Sequence, residues 1–299
     1  AEEPAQMSAA PPERLNIAIQ KSGRLADKSL ELVSSAGLRV VKGANELLYR
    51  IENYPIDLLR VRDDDIPTFV ADGVADLGIV GRNVLEEAAH EPAPEVVMAL
   101  GFGRCELKIA APEGMRFDGP QSLEGARIAT TYPNLLRAYL AEHGVGAEIV
   151  TMKGAVEVAP RLKLANAICD LVSTGATLEA NGLVAVASVL RSEALLIRAP
   201  RPFSETLKPL ADSIVQRFRG VTASQGAKYV MMNAPRSALD RIAAILPGAD
   251  APTVTPLAGS DDRVAVHAVC QESVFWETLE RLKGAGASAI LVLPIEKMM

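Results

Sequence analysis

Residues 168–183 read ICDLVSTGATLEANGL, an apolar run that ends in a small, hydroxyl-rich turn and then takes on helical spacing. Ile168 to Val172 reads as a buried strand. Gly175 is free to take the positive φ that lets backbone N–H groups converge on one point. Ser173, Thr174 and Thr177 add hydroxyl donors, and a helix over Leu178 to Asn181 aims its positive end at the same place. One helix cap needs one hydroxyl, whereas three crowd around a glycine here. The stretch therefore reads as strand, anion cradle and helix. That is the repeating unit of an α/β protein with its sites at the C-terminal ends of strands.

The same unit recurs along the chain. Leu15 to Gln20 is a strand, KSGRL (21–25) a turn, and Ala26 to Ala36 a helix ending before Gly37. Ile56 to Val61 precedes Ile66 to Gly73, Asp76 to Val80 precedes Asn83 to Ala89, and Arg127 to Thr130 precedes Pro133 to His143. This alternation predicts a largely parallel sheet. Glu106 to Ala111 and Ala194 to Ala199 are β-rich, each with a Pro-containing loop after it, and read as crossings between two lobes around a closable cleft. From residue 228 the order changes: strand (Lys228 to Asn233), helix (Arg236 to Leu246), strands (Thr253 to Leu257, Arg263 to Val269), helix (Val274 to Lys283) and strand (Ala289 to Leu293). That is βαββαβ, the ferredoxin-like order. Leu239, Ile242, Ala243 and Leu246 share one helical face, as do Phe275, Leu279 and Leu282, so both helices can cover one face of a four-stranded sheet. A partner subunit is the economical cover for the other face.

The domain plan is then a flexible tail (1–14), a first lobe (15–106 and 200–224), a second lobe inserted into it (107–199), and a C-terminal module (225–299). At 299 residues, with 49% hydrophobic and 23% charged side chains, the chain has the composition of a folded globular protein. A net charge of −6 excludes a general nucleic-acid surface, which needs a basic face. No apolar run reaches bilayer length and no signal-peptide pattern precedes Leu15, so a cytoplasmic location is expected. Cys105, Cys169 and Cys270 are widely spaced and read as free thiols. His90, His143 and His267 lack metal-ligand spacing, and no dedicated metal site is expected.

Other stretches carry chemistry with more than one reading. KSGRL, with Lys21, Ser22, Gly23 and Arg24, suits a polyphosphate or is a solvated turn. Asp63, Asp64 and Asp65 follow a strand with Arg60 and Arg62 beside them. They suit a Mg²⁺-bound phosphate, or one of them caps the helix opening at Ile66-Pro67. Thr130, Thr131 and Tyr132 end a strand just before a helix and can donate to an anion. Glu157 lies in an apolar run near Lys153 and Arg161, either as a site carboxylate or as an ordinary exposed glutamate.

Taken together, QKSGRL (20–25), VRDDDIP (61–67), DLGIVGRNVLEE (76–87), RIATTYPNLL (127–136), VEVAPRLKLANAICDLVSTGATLEANGL (156–183) and ILVLPIEKMM (290–299) resemble the ATP phosphoribosyltransferase family in its long, histidine-regulated form. The resemblance runs from about Leu15 to Met299. It implies a two-lobed, periplasmic-binding-protein-like catalytic unit with a ferredoxin-like regulatory domain. It also implies a reaction in which ring nitrogen 1 of the adenine of ATP displaces pyrophosphate from 5-phosphoribosyl diphosphate (PRPP), with Mg²⁺ required. On this likeness Asp170, Ser173, Thr174, Gly175, Ala176 and Thr177 hold PRPP. Lys21, Ser22, Gly23, Arg24, the Asp63 to Asp65 cluster, Thr130, Thr131 and Tyr132 line the nucleotide and diphosphate side. Glu157 and Asp170 are the catalytic candidates, and the metal arrives with the substrate diphosphate. Histidine, the feedback inhibitor, is placed by the resemblance at Asn233, Ala249, Thr253 and Ala289 between neighbouring subunits of a dimer or hexamer. Asn233 departs from the aspartate of some members. Arg82 and Arg104 stand where an acidic residue and a glycine are more usual. Two other functions fit parts of the pattern, a two-lobed solute-binding protein and a non-catalytic regulatory subunit.

Overall fold

A computed structural model of the chain describes residues 13–43, 46–172, 175–246, 252–270 and 276–298. Ser173, Thr174, Ala249, Phe275 and most of the tail lie outside the described residues. The chain divides into two compact units, Ala1–Asp212 and Ser213–Met299.

In chain order the first elements are β1 (Leu15–Gln20), α1 (Ala26–Ser35), β2 (Val40–Lys42), β3 (Leu48–Ile51), β4 (Ile56–Val61), α2 (Ile66–Ala71), β5 (Leu77–Gly81), α3 (Arg82–Ala88) and β6 (Glu95–Ala99). Next come β7 (Cys105–Pro112), β8 (Arg127–Thr130), α4 (Pro133–Glu142), β9 (Glu148–Thr151), β10 (Ala167–Val172), α5 (Ala176–Ala180), β11 (Leu183–Ser192) and β12 (Ala194–Arg198). Then α6 (Leu207–Ser224) runs across the division between units. The second unit continues with β13 (Lys228–Pro235), α7 (Leu239–Ile245), β14 (Thr253–Pro256), β15 (Arg263–Cys270), α8 (Trp276–Gly284) and β16 (Ser288–Pro294).

The first unit holds a seven-stranded sheet, β2-β3-β4-β1-β5-β12-β6, and a five-stranded one, β11-β7-β10-β8-β9. Both are mixed, which corrects the expectation of a largely parallel sheet. β1 is parallel to β4 and β5, and β8 to β9 and β10, as the strand–helix alternation requires. The departures are these: β12 is antiparallel to β5 and β6, β7 to β10 and β11, and β2-β3-β4 form an antiparallel edge.

The two stretches read as crossings are also corrected. They are core strands, β7 and β12, and in β12 Leu195, Leu196 and Ile197 are no more than 2% exposed. A run this apolar has to be covered on both faces, which a connector would not be. The chain crosses between sheets instead at 100–104 and at Glu193. These two crossings are tied to each other, Leu100 N–H donating to Ala194 O and Ala194 N–H to Phe102 O, both at 2.9 Å.

The second unit is a four-stranded antiparallel sheet, β14-β15-β13-β16, with α7 and α8 on one face. Val230, Met232 and Ala234 of β13 alternate onto that face and pack with Ile242, Leu246 and Leu282. Ala243, expected on the packed face of α7, is exposed, and Ile245 packs in its place. Leu239, Ile242 and Leu246 keep the expected face, and Ala243 and Ile245 lie on its two opposite flanks, of which only the Ile245 flank is covered.

Candidate active site

The strand ends of the first unit carry the residues singled out above. Within the last half of β10, Asp170 is half-buried, and its Oδ1 accepts from Leu171 N–H at 2.8 Å. Burial pushes the Asp170 carboxyl above the ordinary carboxylate range, and the negative charge of Glu157 adds to the effect. Glu157 sits on a 3-10 turn, Val156–Val158, entered through Ala155 at a φ of 52°. Two carboxylates from separate turns therefore feel one another at a single strand end. Gly175 has the positive φ, 79°, that the sequence asks of it. Among the described residues no atom lies within 4 Å of where a Cβ would stand, so the constraint there is backbone conformation and not space. α5 begins at Ala176 and is only five residues long, shorter than a full dipole argument wants. Thr177 is exposed, and among the described residues its hydroxyl has no partner inside the protein.

The turn after β8 behaves differently. Thr130 is fully buried: its Oγ1 donates to Cys169 O at 2.7 Å and accepts from Tyr132 N–H at 2.9 Å. The Tyr132 hydroxyl accepts from Asn83 Nδ2 at 3.0 Å. Burial pushes the Tyr132 phenol up to about 12, with Asp170, Asp63 and Asp64 contributing negative charge. Thr130 is therefore committed internally and Thr131, half-buried, is left as the open hydroxyl of this turn. The same coupling places the acidic turn after β4 and the end of β10 within electrostatic reach of one phenol.

Asp63–Asp65 form a 3-10 turn. Asp65 is the N-cap residue of α2, yet its side chain makes no capping hydrogen bond, so the capping reading fails in this structure. Asp64 is raised from the usual range by burial and by Asp63. In the KSGRL turn, Arg24 is exposed and Lys21 lies 3.3 Å from Glu46. Arg60, read from the sequence as part of the acidic cluster, and Gln20, to which no role was given, hold this turn. Arg60 donates from Nη2 to Lys21 O at 2.7 Å, and Gln20 Oε1 accepts from Leu25 N–H at 2.9 Å. Gln20 is 8% exposed. A polar residue that closes an otherwise apolar strand was the available signal.

A cavity of about 1180 Å³ borders the β10 turn at Gly175 and Glu179 and reaches Arg82, Arg104, Lys108 and Arg191. Lys108 and Arg191 are paired with Glu106, at 2.7 and 2.9 Å, and their bonds hold its carboxyl below the usual range. The unusual Arg82 and Arg104 thus face the cavity, whereas KSGRL and the acidic turn do not line it.

Residues 62–220 match the profile of the family described as ATP phosphoribosyltransferase, and residues 224–297 that described as HisG, C-terminal domain. The chain belongs to the ATP phosphoribosyltransferase family. A relative described as ATP phosphoribosyltransferase, from Maricaulis maris, is 55% identical over 290 residues, covering 96% of this chain and 99% of its own. A solved ATP phosphoribosyl transferase (HisG:HisZ) complex from Thermotoga maritima is 26% identical with a TM-score of 0.58, covering 69% of this chain and 98% of that one. A histidine kinase sensor domain similar to periplasmic binding proteins aligns more weakly, at 11% identity and a TM-score of 0.46 over 69% of this chain and 89% of that one. An ATP phosphoribosyltransferase is a pentosyltransferase that joins ATP to PRPP at the first step of histidine biosynthesis, and the reaction needs a divalent metal. The oxygen-rich acidic turn suits a hard divalent cation. Among the described residues no group of three His, Cys, Asp or Glu side chains is arranged to hold a metal by itself.

The C-terminal candidates lie on the strands of the second unit. Asn233 pairs with Ala265 and Ser288 across β13, and Thr253 with His267 across β14 and β15. Both alternate away from α7 and α8. Ala289 has a φ of 49° at a bulge in β16. Asn233 Oδ1 is buried with no hydrogen-bond partner among the described residues. On the same face Leu291 and Leu293 are each 51% exposed. Among the described residues no helix is long and apolar enough to cross a membrane.

Proposed function

We propose that this chain carries out phosphoribosyl transfer to ATP at the end of β10, in a cleft between the lobe built on the seven-stranded sheet and the lobe built on the five-stranded sheet. The observation that carries the reading is the coupled carboxylate pair, Asp170 and Glu157, beside the left-handed Gly175 turn. A transferring ribosyl group develops positive charge at its anomeric carbon, and two partly desolvated carboxylates are placed to oppose it. In this reading the turn from Ser173 to Thr177 takes the 5-phosphate of PRPP through amides and hydroxyls. Asp170 accepts from the ribose hydroxyls. Glu157 orients the adenine or steadies the ribosyl cation. Lys21, Ser22, Gly23 and Arg24 meet the phosphates, with Thr131 and Tyr132 lining the nucleotide side; Thr130 supports that wall from inside. Orientation in a closed cleft supplies much of the remaining rate.

The divalent metal we assign is Mg²⁺, bound with the substrate diphosphate, where it neutralises leaving-group charge. Asp63, Asp64 and Asp65 are the side chains that would complete its oxygen shell. The location is cytoplasmic. The 225–299 domain binds histidine at Asn233, Ala249, Thr253 and Ala289, and its open sheet face joins copies of the chain into a dimer or hexamer. The unpartnered Asn233 Oδ1 supports a ligand there.

Incubating the protein with ATP, PRPP and Mg²⁺ should give phosphoribosyl-ATP and pyrophosphate, and omitting PRPP should abolish both. Absence of the product would refute the reaction. Asn233→Ala with Thr253→Ala should keep the uninhibited rate and lose inhibition by histidine, because coupling between sites is a free energy of about 1–3 kcal/mol carried by such contacts. A double variant with the parent's sensitivity would refute the regulatory assignment.

A further inference from the structure

α4 opens without a capping side chain of its own. Its N-cap residue is Tyr132, whose side chain makes no cap hydrogen bond, and Pro133 follows at the first helical position. The amides of the next two residues would be left to water. They are not: Asn134 N–H donates to Oε1 of Glu87 and Leu135 N–H to Oε2, both at 2.9 Å. Glu87 belongs to α3, which follows a strand of the seven-stranded sheet, whereas α4 follows a strand of the five-stranded sheet. Asn134 Nδ2 adds a bond to Glu87 O at 3.0 Å.

One turn earlier on α3, Asn83 is 1% exposed and spans the same gap. Its Nδ2 donates to the Tyr132 hydroxyl at 3.0 Å, and its Oδ1 accepts from Ser192 Oγ at 2.8 Å. Its backbone N–H donates to the same Ser192 Oγ at 3.1 Å. Ser192 ends β11 beside the Glu193 crossing, and Glu193 O accepts from Arg82 N–H at 3.0 Å. Thus α3 grips the second sheet at two points, the start of α4 and the end of β11.

We propose that Glu87 and Asn83 are positioning residues: α3 caps α4 in trans and so latches the two lobes in the arrangement that brings the acidic turn of the first sheet toward Tyr132 and Asp170 of the second. Separation of the lobes returns two amides and one carboxylate to water, so the cap exists only in the latched state. This rests on the cleft proposed above as the reaction site.

Two measurements on the full-length protein test it. Amide hydrogen exchange at Asn134 and Leu135 should speed up by roughly tenfold in Glu87→Ala, the loss of two charge-assisted bonds. Exchange in β10 should stay as in the parent, which separates unlatching from unfolding. In steady-state kinetics the same variant should raise KM for ATP and for PRPP together by roughly tenfold, with kcat changed less, because the residue touches neither substrate. Glu87→Gln, which keeps a neutral acceptor, should recover part of both. Unchanged exchange in Glu87→Ala would overturn the latch. Faster exchange with both KM values unchanged would overturn the positioning role. The exchange arm needs no turnover, so a parent that made no phosphoribosyl-ATP would count against the reaction while leaving the latch measurable.

Discussion

The turns after β8 and β10 look alike as sequence, each a strand followed by hydroxyl-bearing residues and a helix, yet they do different work. At the β8 turn all the groups but the Thr131 hydroxyl are already spent inside the protein: Thr130 bonds to Cys169 and Tyr132, Tyr132 to Asn83, and the first α4 amides to Glu87. Around the β10 turn stand a half-buried carboxylate, a left-handed glycine and an exposed Thr177 hydroxyl with no partner among the described residues. A hydroxyl-rich turn is therefore an anion site only when its donors are not already satisfied. Substitutions at the two turns should separate accordingly, in function at one and in stability at the other.

The largest effect is expected from Asp170→Asn. The amide keeps the acceptor for Leu171 N–H but removes the charge, so kcat/KM should fall by about 10²–10³-fold, as for loss of one preorganised electrostatic group. Stability should move the other way. The folded-state pKa of Asp170 is raised, so its favourable contribution is present below the unfolded carboxylate pKa and is lost as pH rises through the folded value. The variant should accordingly melt higher than the parent at neutral pH, with the gap narrowing as pH falls through the carboxylate range. Melting curves across pH, run beside the assay, check both; a variant with parental activity would remove Asp170 from the site.

Next is Thr177→Ala, which should raise KM for PRPP by about 10- to 150-fold, the loss of one hydrogen bond to a charged group. The ATP KM and the melting temperature should change little. An equal loss for both substrates would mean that Thr177 does not face PRPP.

At the other turn, Thr130→Val should cost about 1–3 kcal/mol of stability, since it strands a buried amide and a carbonyl. The folded fraction should retain near-parental KM values for both substrates. Chemical denaturation with kinetics on the refolded protein decides this, and a selective rise in one KM would show that Thr130 meets substrate after all. The smallest effect is expected from Gly175→Ala. The site has room for a Cβ, so only the left-handed backbone resists, about 1–2 kcal/mol for a non-glycine residue. Denaturant midpoints would register a loss of that order, and a much larger one would indicate crowding.

Much of this organisation was legible along the chain. The parallel strand–turn–helix units, the βαββαβ order and the positive φ at Gly175 follow from local periodicity and from the steric freedom of one residue type. What local reading missed depends on partners distant in sequence. β7 and β12 looked like connectors because nothing in Glu106 to Ala111 or Ala194 to Ala199 says which strand will lie alongside. Ala243 and Ile245 exchanged roles because they lie on opposite flanks of the Ile242 stripe, and only packing decides which flank is covered. Asn83 and Glu87 passed unnoticed because each reads as an ordinary polar residue on a short helix until its acceptors and donors, residues away in another sheet, are in place.

The sequence by itself determined the element types, the family and the residue kinds at each strand end, since these rest on spacing and side-chain chemistry within a few positions. Only the tertiary structure decided which of those groups remain open to a ligand. Hydrogen-bond capacity is finite, and whether Thr130 or Thr177 still has any to offer depends on what packing brings within about 3 Å of it.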